Sequence, residues 1–151
     1  VKVAVVERHQ GTGNVACGFL KGYGIKAGAV ALSIAHDSHN IIVVGVSDEE
    51  MEFAVNSLIA QEGGMVLVKE GKVIESMPMP IAGLMSDQSG EWVDEKLTAI
   101  HAKAYEELGI AGDVEPVMTL CFMSLAVIPE VKLTDMGLFD VTTFSFIPVE
   151  V

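Results

Sequence analysis

Cysteine is scarce in this chain. Cys17 and Cys121 are the only two in 151 residues, and neither CxxC spacing nor a cysteine-dense context surrounds them. That excludes a disulfide-stapled scaffold and a cysteine-rich metal finger. Both thiols lie in apolar, strand-like runs, which predicts two buried free cysteines. Positive charge is nearly as sparse, with nine Lys plus Arg against 21 Asp plus Glu and a net charge of −12. A surface this acidic repels phosphate backbones, so nucleic acid is not an expected partner. The acidic residues are spread along the chain, and no acidic tail is implied. Long apolar runs are missing too. The longest, "IIVVGV" and "CFMSLAVI", have strand length and fall far short of the ~18 residues that span a bilayer, so no membrane association is expected. Neither a secretory leader nor an Asn-x-Ser/Thr sequon is visible, which predicts a cytoplasmic protein.

What the chain does have is apolar mass. Half of its residues are hydrophobic and only 20% are charged, the balance of a compact globular domain with one buried core. It opens on a valine already in a strand pattern, as a piece of a longer polypeptide would.

The periodicity predicts one α+β domain over residues 1–151, with a mixed, largely antiparallel sheet and two main helices packed on it. "KVAVVERHQGTGNVACGFL" reads as strand, polar turn, strand, with Val15, Cys17 and Phe19 alternating after the turn. "AVALSIA" and Ile41–Val46 form a second strand–loop–strand unit, with Val30, Leu32 and Ile34 facing one way and small residues the other. Ser47 and Glu50 have capping-box spacing, acidic residues fill the next turn, and Met51, Ala54, Val55, Leu58 and Ile59 form a helical stripe. "MVLVKEGKVIESMP" is a hairpin turning at Glu70-Gly71. A second helix carries Val93, Leu97, Ile100, Ala104 and Leu108 on one face, and the tail from Val117 to Val151 holds two or more strands.

The unusual polar segments sit in the loops of the two strand–loop–strand units. "GTGNVACG" (Gly11 to Gly18) has the look of a phosphate loop, but a strand follows where phosphate binding needs a helix N-terminus, so a tight turn is the expected reading. Arg8 and His9 sit at the end of the first strand, where a cation beside an imidazole suits an anionic or polar substrate group; a solvated turn is the bland alternative. His36-Asp37-Ser38-His39-Asn40 admits three readings. Two imidazoles begin a metal site that Asp37 or His9 could complete, although a zinc site takes three or four protein ligands and nothing in the spacing requires such a set. Alternatively the imidazoles do acid/base or orienting work, with Asp37 fixing a tautomer. Or Asp, Ser and Asn simply make a hydrogen-bonded turn. His101 and Trp92 read as packing residues of the second helix.

These loops also carry a resemblance. "VAVVERHQGTGNVACGFLKGYGIKAGAVALSIAHDSHNIIVVGVSDEEM", "PIAGLMSD" (Pro80 to Asp87) and "MTLCFMSLAVIPEVKLTDMGLFDV" (Met118 to Val141), in that order, strongly resemble the C-terminal domain of prokaryotic adenine deaminases, amidohydrolase-superfamily enzymes of purine salvage. The resemblance covers essentially the whole chain. It implies a parent enzyme that hydrolyses adenine to hypoxanthine and ammonia, with a divalent metal (Mn, Fe or Zn) in a (β/α)₈ barrel that starts with a His-x-His motif. No His-x-His occurs here and the chain is too short for such a barrel, so the resemblance implies no metal ligand in this domain and an isolated domain without activity. Its expected partners are its own N-terminal amidohydrolase barrel, a purine substrate and, in an assembly, further copies of itself.

The loop positions then suggest catalytic roles for His36, Asp37 and His39, acting with the absent barrel, and substrate contacts from Arg8, His9, Ser38 and Asn40. The resemblance itself assigns none of these roles. Two rival readings are a structural or oligomerisation module without contact to the chemistry, and a self-sufficient small metallohydrolase with at least three ligands from this chain.

Overall fold

The computed structural model describes residues 1–149. Six strands, β1 (Lys2–Val6), β2 (Val15–Phe19), β3 (Ala29–Leu32), β4 (Ile41–Gly45), β5 (Gly64–Lys69) and β6 (Lys72–Pro78), form one sheet in the order β2-β1-β4-β3-β5-β6. Helix α1 (Asp48–Ala60) covers one face; α2 (Gly90–Glu106) and the short α3 (Pro116–Cys121) lie on the other. Strands β7 (Val131–Thr134), β8 (Gly137–Asp140) and β9 (Ser145–Ile147) make a separate meander. The α+β class holds, and every pairing among the described strands is antiparallel. Positions 150 and 151 of the expected tail lie outside the described residues.

The sheet is apolar on both faces because both are covered. Val5, Val30, Leu32, Ile42, Leu67 and Met77 meet Ile100, Ala104 and Leu120 on one side. On the other, Ala29, Ala31, Val43, Val66 and Val68 meet Met51, Ala54 and Leu58. Small residues under α1 let the helix approach closely: a Cβ on Gly45 would stand 2.6 Å from the Met51 side chain. The helix starts follow the expected chemistry. The Ser47 hydroxyl accepts the Glu50 N–H at 3.3 Å and the Ser89 hydroxyl accepts that of Trp92 at 3.3 Å. Within the α1 stripe, Ile59 departs from expectation and is exposed at the rim of a cleft described below. Among the described residues no helix is long and apolar enough to cross a membrane.

Two sequence readings need correction. The run from Cys121 onward is not a strand. Pro116 in the first turn and the Glu115 carboxylate, which accepts the Met118 N–H, start a helix whose Val117, Leu120 and Cys121 reach the core at helical spacing. Cys17 is not buried. Strand β2 turns Val15, Cys17 and Phe19 outward, leaving Phe19 76% exposed, because its inward positions must fit under the meander. Gly18 lies against Leu133 and Leu138 there, a Cβ on it standing 3.5 Å from the Leu138 methyl. Cys121 is buried, and burial pushes its thiol up to about 11. A thiol-specific chromogenic reagent is therefore expected to titrate one cysteine in the native protein and two after denaturation, and Cys17→Ser removes the native signal. Fast reaction of both thiols in the native state would contradict this packing.

The register fixes where the loops go. Val6 pairs with Ile41, Leu32 with Ile42 and Met65, and Gly64 with Pro78. Loops 7–14, 33–40, 61–63 and 79–89 therefore all leave the same end of the sheet.

Candidate functional site

The β1–β2 loop is organised by one carboxylate. Glu7 accepts the backbone N–H groups of Thr12 (3.1 Å), Gln10 (2.8 Å) and His9 (2.5 Å), together with the Thr12 hydroxyl at 3.1 Å. The bonds from Thr12, then Gln10, hold its carboxyl down to about 2. Gly11 (φ 64°) and Gly13 (φ 75°) reverse the chain into β2, so "GTGNVACG" is the tight turn and no helix N-terminus follows it.

The β3–β4 loop folds onto this one. Exposed His9 donates from Nε2 to the Ser38 carbonyl at 2.6 Å. Asn40 is buried, and its Oδ1 accepts the Arg8 backbone N–H at 3.3 Å. The His39 N–H closes the turn on the Ala35 carbonyl at 2.7 Å. The end of α3 holds the start of the same loop: the His36 N–H donates to the Cys121 carbonyl at 2.8 Å, and the Ser124 hydroxyl donates to the His36 carbonyl at 3.3 Å. The His36 ring lies 4.9 Å from the Phe122 ring and 5.8 Å from that of His39, which it meets nearly edge-on. The His39 Nδ1 is buried and has no hydrogen-bond partner among the described residues.

The structure thus brings His36 and His39 together and ties Arg8, His9 and Asn40 to them. Asp37 and Ser38 are exposed and line a cleft of about 380 Å³, with Ser124, Met136, Phe139 and Phe146 across from them. Beside this cleft the meander region exposes Met136 (71%), Val127 (71%) and Phe146 (51%), an apolar rim continuous with the His-bearing loop. A second cleft of about 380 Å³ lies on the α1 side of Arg8, lined by Val6, Ile41, Leu58, Ile59 and Glu62.

Three contributors escaped the sequence reading. Ala82 (φ 59°) and Gly83 of loop 79–89 pack against Arg8, and Ser33, which reads as a strand residue, links Gly64 to Gly83 through its buried hydroxyl. Gly83 sits at φ 73°, and a Cβ there would stand 2.9 Å from the Arg8 Nη1. The only signal for these positions is the small-residue pair in "PIAGLMSD", which states nothing about its neighbour.

Among the described residues no three His, Cys, Asp or Glu side chains are grouped to hold a metal ion. Among the described residues no third donor is grouped with the His36–His39 pair, so these residues do not fit a resident catalytic metal. Outside the phenylalanine contact, what the pair offers is hydrogen bonding from imidazole nitrogens at a loop surface.

Known proteins resemble this chain throughout its length. The family model of the adenine deaminase C-terminal domain matches residues 1–145. Adenine deaminase 2 of Desulfotalea psychrophila is 75% identical over 150 residues, covering 99% of this chain and 26% of that protein. The adenine deaminases of Nitratidesulfovibrio vulgaris strain DP4 and of Halalkalibacterium halodurans are 53% and 51% identical over 151 residues, again 100% of this chain and 26% of theirs. The chain spans about a quarter of the length of the curated relatives it matches.

Proposed function

The chain belongs to the adenine deaminase C-terminal domain family, and from that premise we propose that it caps the active site of a longer polypeptide that hydrolyses adenine to hypoxanthine and ammonia. In this reading residues 1–151 are the C-terminal domain, and the catalytic centre, an amidohydrolase barrel with its divalent metal, lies in the preceding part of the polypeptide. Purine salvage in the cytoplasm is the setting. One observation carries the reading: four loops converge at one end of the sheet and tie His36, His39, Arg8 and His9 into a single surface, next to an exposed apolar rim.

The reaction replaces an amino group by oxygen. Water adds at the ring carbon that bears the amine, and ammonia leaves once protons have reached it. A domain that closes over such a site excludes bulk water and supplies hydrogen bonds to the ring. The imidazoles of His36 and His39 are the groups proposed to meet the purine or the departing ammonia, with Asp37 and Ser38 at the rim. The apolar rim around Met136 and Phe146 is the surface proposed to pack on the preceding segment.

A second reading has its own support. Val15 and Phe19 are exposed on edge strand β2, and Phe19 lies at the end of the sheet opposite the loops, as in a module that only stabilises or oligomerises its parent. Deleting residues 1–151 from the full-length polypeptide separates the two. The capping reading expects adenine turnover to fall by about 10²-fold or more even where the remainder stays folded. Unchanged kcat and KM in a folded, truncated enzyme would leave only the module reading.

A further inference from the structure

Arg8 has the residue type expected to grip a substrate, but two of its guanidinium nitrogens are bonded to backbone carbonyls of its own domain. Its Nε donates to the His39 carbonyl at 2.5 Å, its Nη2 to the Ala82 carbonyl at 2.9 Å, and its backbone N–H to Asn40 Oδ1 at 3.3 Å. The two carbonyls have something in common. His39 (φ 54°) and Ala82 (φ 59°) both hold the left-handed conformation that side-chain-bearing residues rarely adopt. Such residues keep that conformation only where their surroundings hold it, and here one guanidinium bonds to both. The direction of a carbonyl follows the dihedrals of its own residue, so pinning the His39 oxygen also fixes where its side chain starts. Gly83 packs against the same guanidinium, and a Cβ there would stand 2.9 Å from Nη1.

We propose that Arg8 is a positioning residue: its guanidinium clamps loop 33–40 to loop 79–89 and thereby sets the orientation of the His39 imidazole, without touching substrate. A planar fork suits the task. Nε and Nη2 lie in one plane and reach two separate oxygens 43 residues apart in sequence (39 and 82), which a single lysine ammonium does not reproduce. The link from the clamp to the reaction rests on the capping role proposed above; the clamp itself does not.

Arg8→Lys, Arg8→Met and Gly83→Ala in the full-length polypeptide test it, with amide hydrogen exchange and steady-state kinetics on adenine read for each. Exchange over 36–40 and 80–85 is expected to rise by about tenfold or more in both arginine variants, the lysine failing to rescue. Gly83→Ala crowds the guanidinium and is expected to raise exchange over 36–40; alanine at φ 73° strains 80–85 directly, so for this variant only segment 36–40 is read. On the kinetic side kcat falls while KM for adenine stays within about twofold, the split expected of lost orientation. A raised KM with unchanged exchange would overturn the proposal, because Arg8 would then bind substrate directly. Unchanged exchange over 36–40 in all three variants overturns it as well. Raised exchange with unchanged kinetics upholds the clamp and refutes the capping role.

Discussion

Replacing both His36 and His39 by alanine in the full-length polypeptide is expected to lower kcat/KM for adenine by about 10²-fold, the lower end of what positioned acid/base groups contribute. The two rings lie 5.8 Å apart on a loop tied down at both ends, by the Cys121 carbonyl and by Arg8. The buried His39 Nδ1 has no hydrogen-bond partner among the described residues, so any contact to a group from outside falls to the other ring nitrogen. Both side chains are only half-buried, so their loss is expected to cost little stability, and any kinetic effect is separable from unfolding. His101→Ala is the control. That imidazole, on α2, pairs at 2.6 Å with the carboxylate of Glu115 at the start of α3, and its loss is expected to leave the kinetics unchanged. If the double variant turns adenine over like the parent, with the same KM, the imidazoles have no part in the reaction.

Ser33→Ala is expected to produce the largest loss of stability from a single polar atom. The Ser33 hydroxyl is buried at the end of β3, donating to the Gly83 carbonyl at 2.5 Å and accepting the Gly64 N–H at 2.7 Å. Removing it leaves two buried backbone groups without that partner, each costing about 1–3 kcal/mol. A domain of this size should then melt roughly 10 °C lower. Ser124→Ala is the comparison: its hydroxyl makes a single longer bond of 3.3 Å to the His36 carbonyl, and an effect of about 1 kcal/mol or less is expected. Equal melting temperatures for Ser33→Ala and the parent would show that this junction of three loops is not held by the hydroxyl.

Much of the fold is legible locally. The Ser47 cap, the acidic first turn of α1, the Glu70-Gly71 hairpin with both residues at positive φ, and the short apolar runs of β1, β3 and β4 are all encoded within a few residues of where they act. The His-bearing loops are legible as polar interruptions between apolar strands, and the resemblance over the whole chain names the family. Other features depend on neighbours distant in sequence. The alternation of Val15, Cys17 and Phe19 defines one face of β2, but the meander packs on the opposite face, where Leu133 and Leu138 lie against Gly18. "CFMSLAVI" is apolar enough for a strand, yet the cap at Glu115 and the core contacts of Leu120 and Cys121 make its start the end of a helix.

The site divides along the same line. The sequence by itself determined the family, the α+β class, the helix starts and which residues carry polar chemistry, because propensity, capping and periodicity act over a turn or two of chain. Tertiary structure alone decided what those residues do. It gathered four loops at one end of the sheet, turned Asp37 and Ser38 toward the apolar rim, and bonded Arg8 to carbonyls 31 and 74 residues away. A guanidinium carries the same charge and donors whatever it faces, so its role follows from which acceptors the folded chain puts within about 3 Å of it.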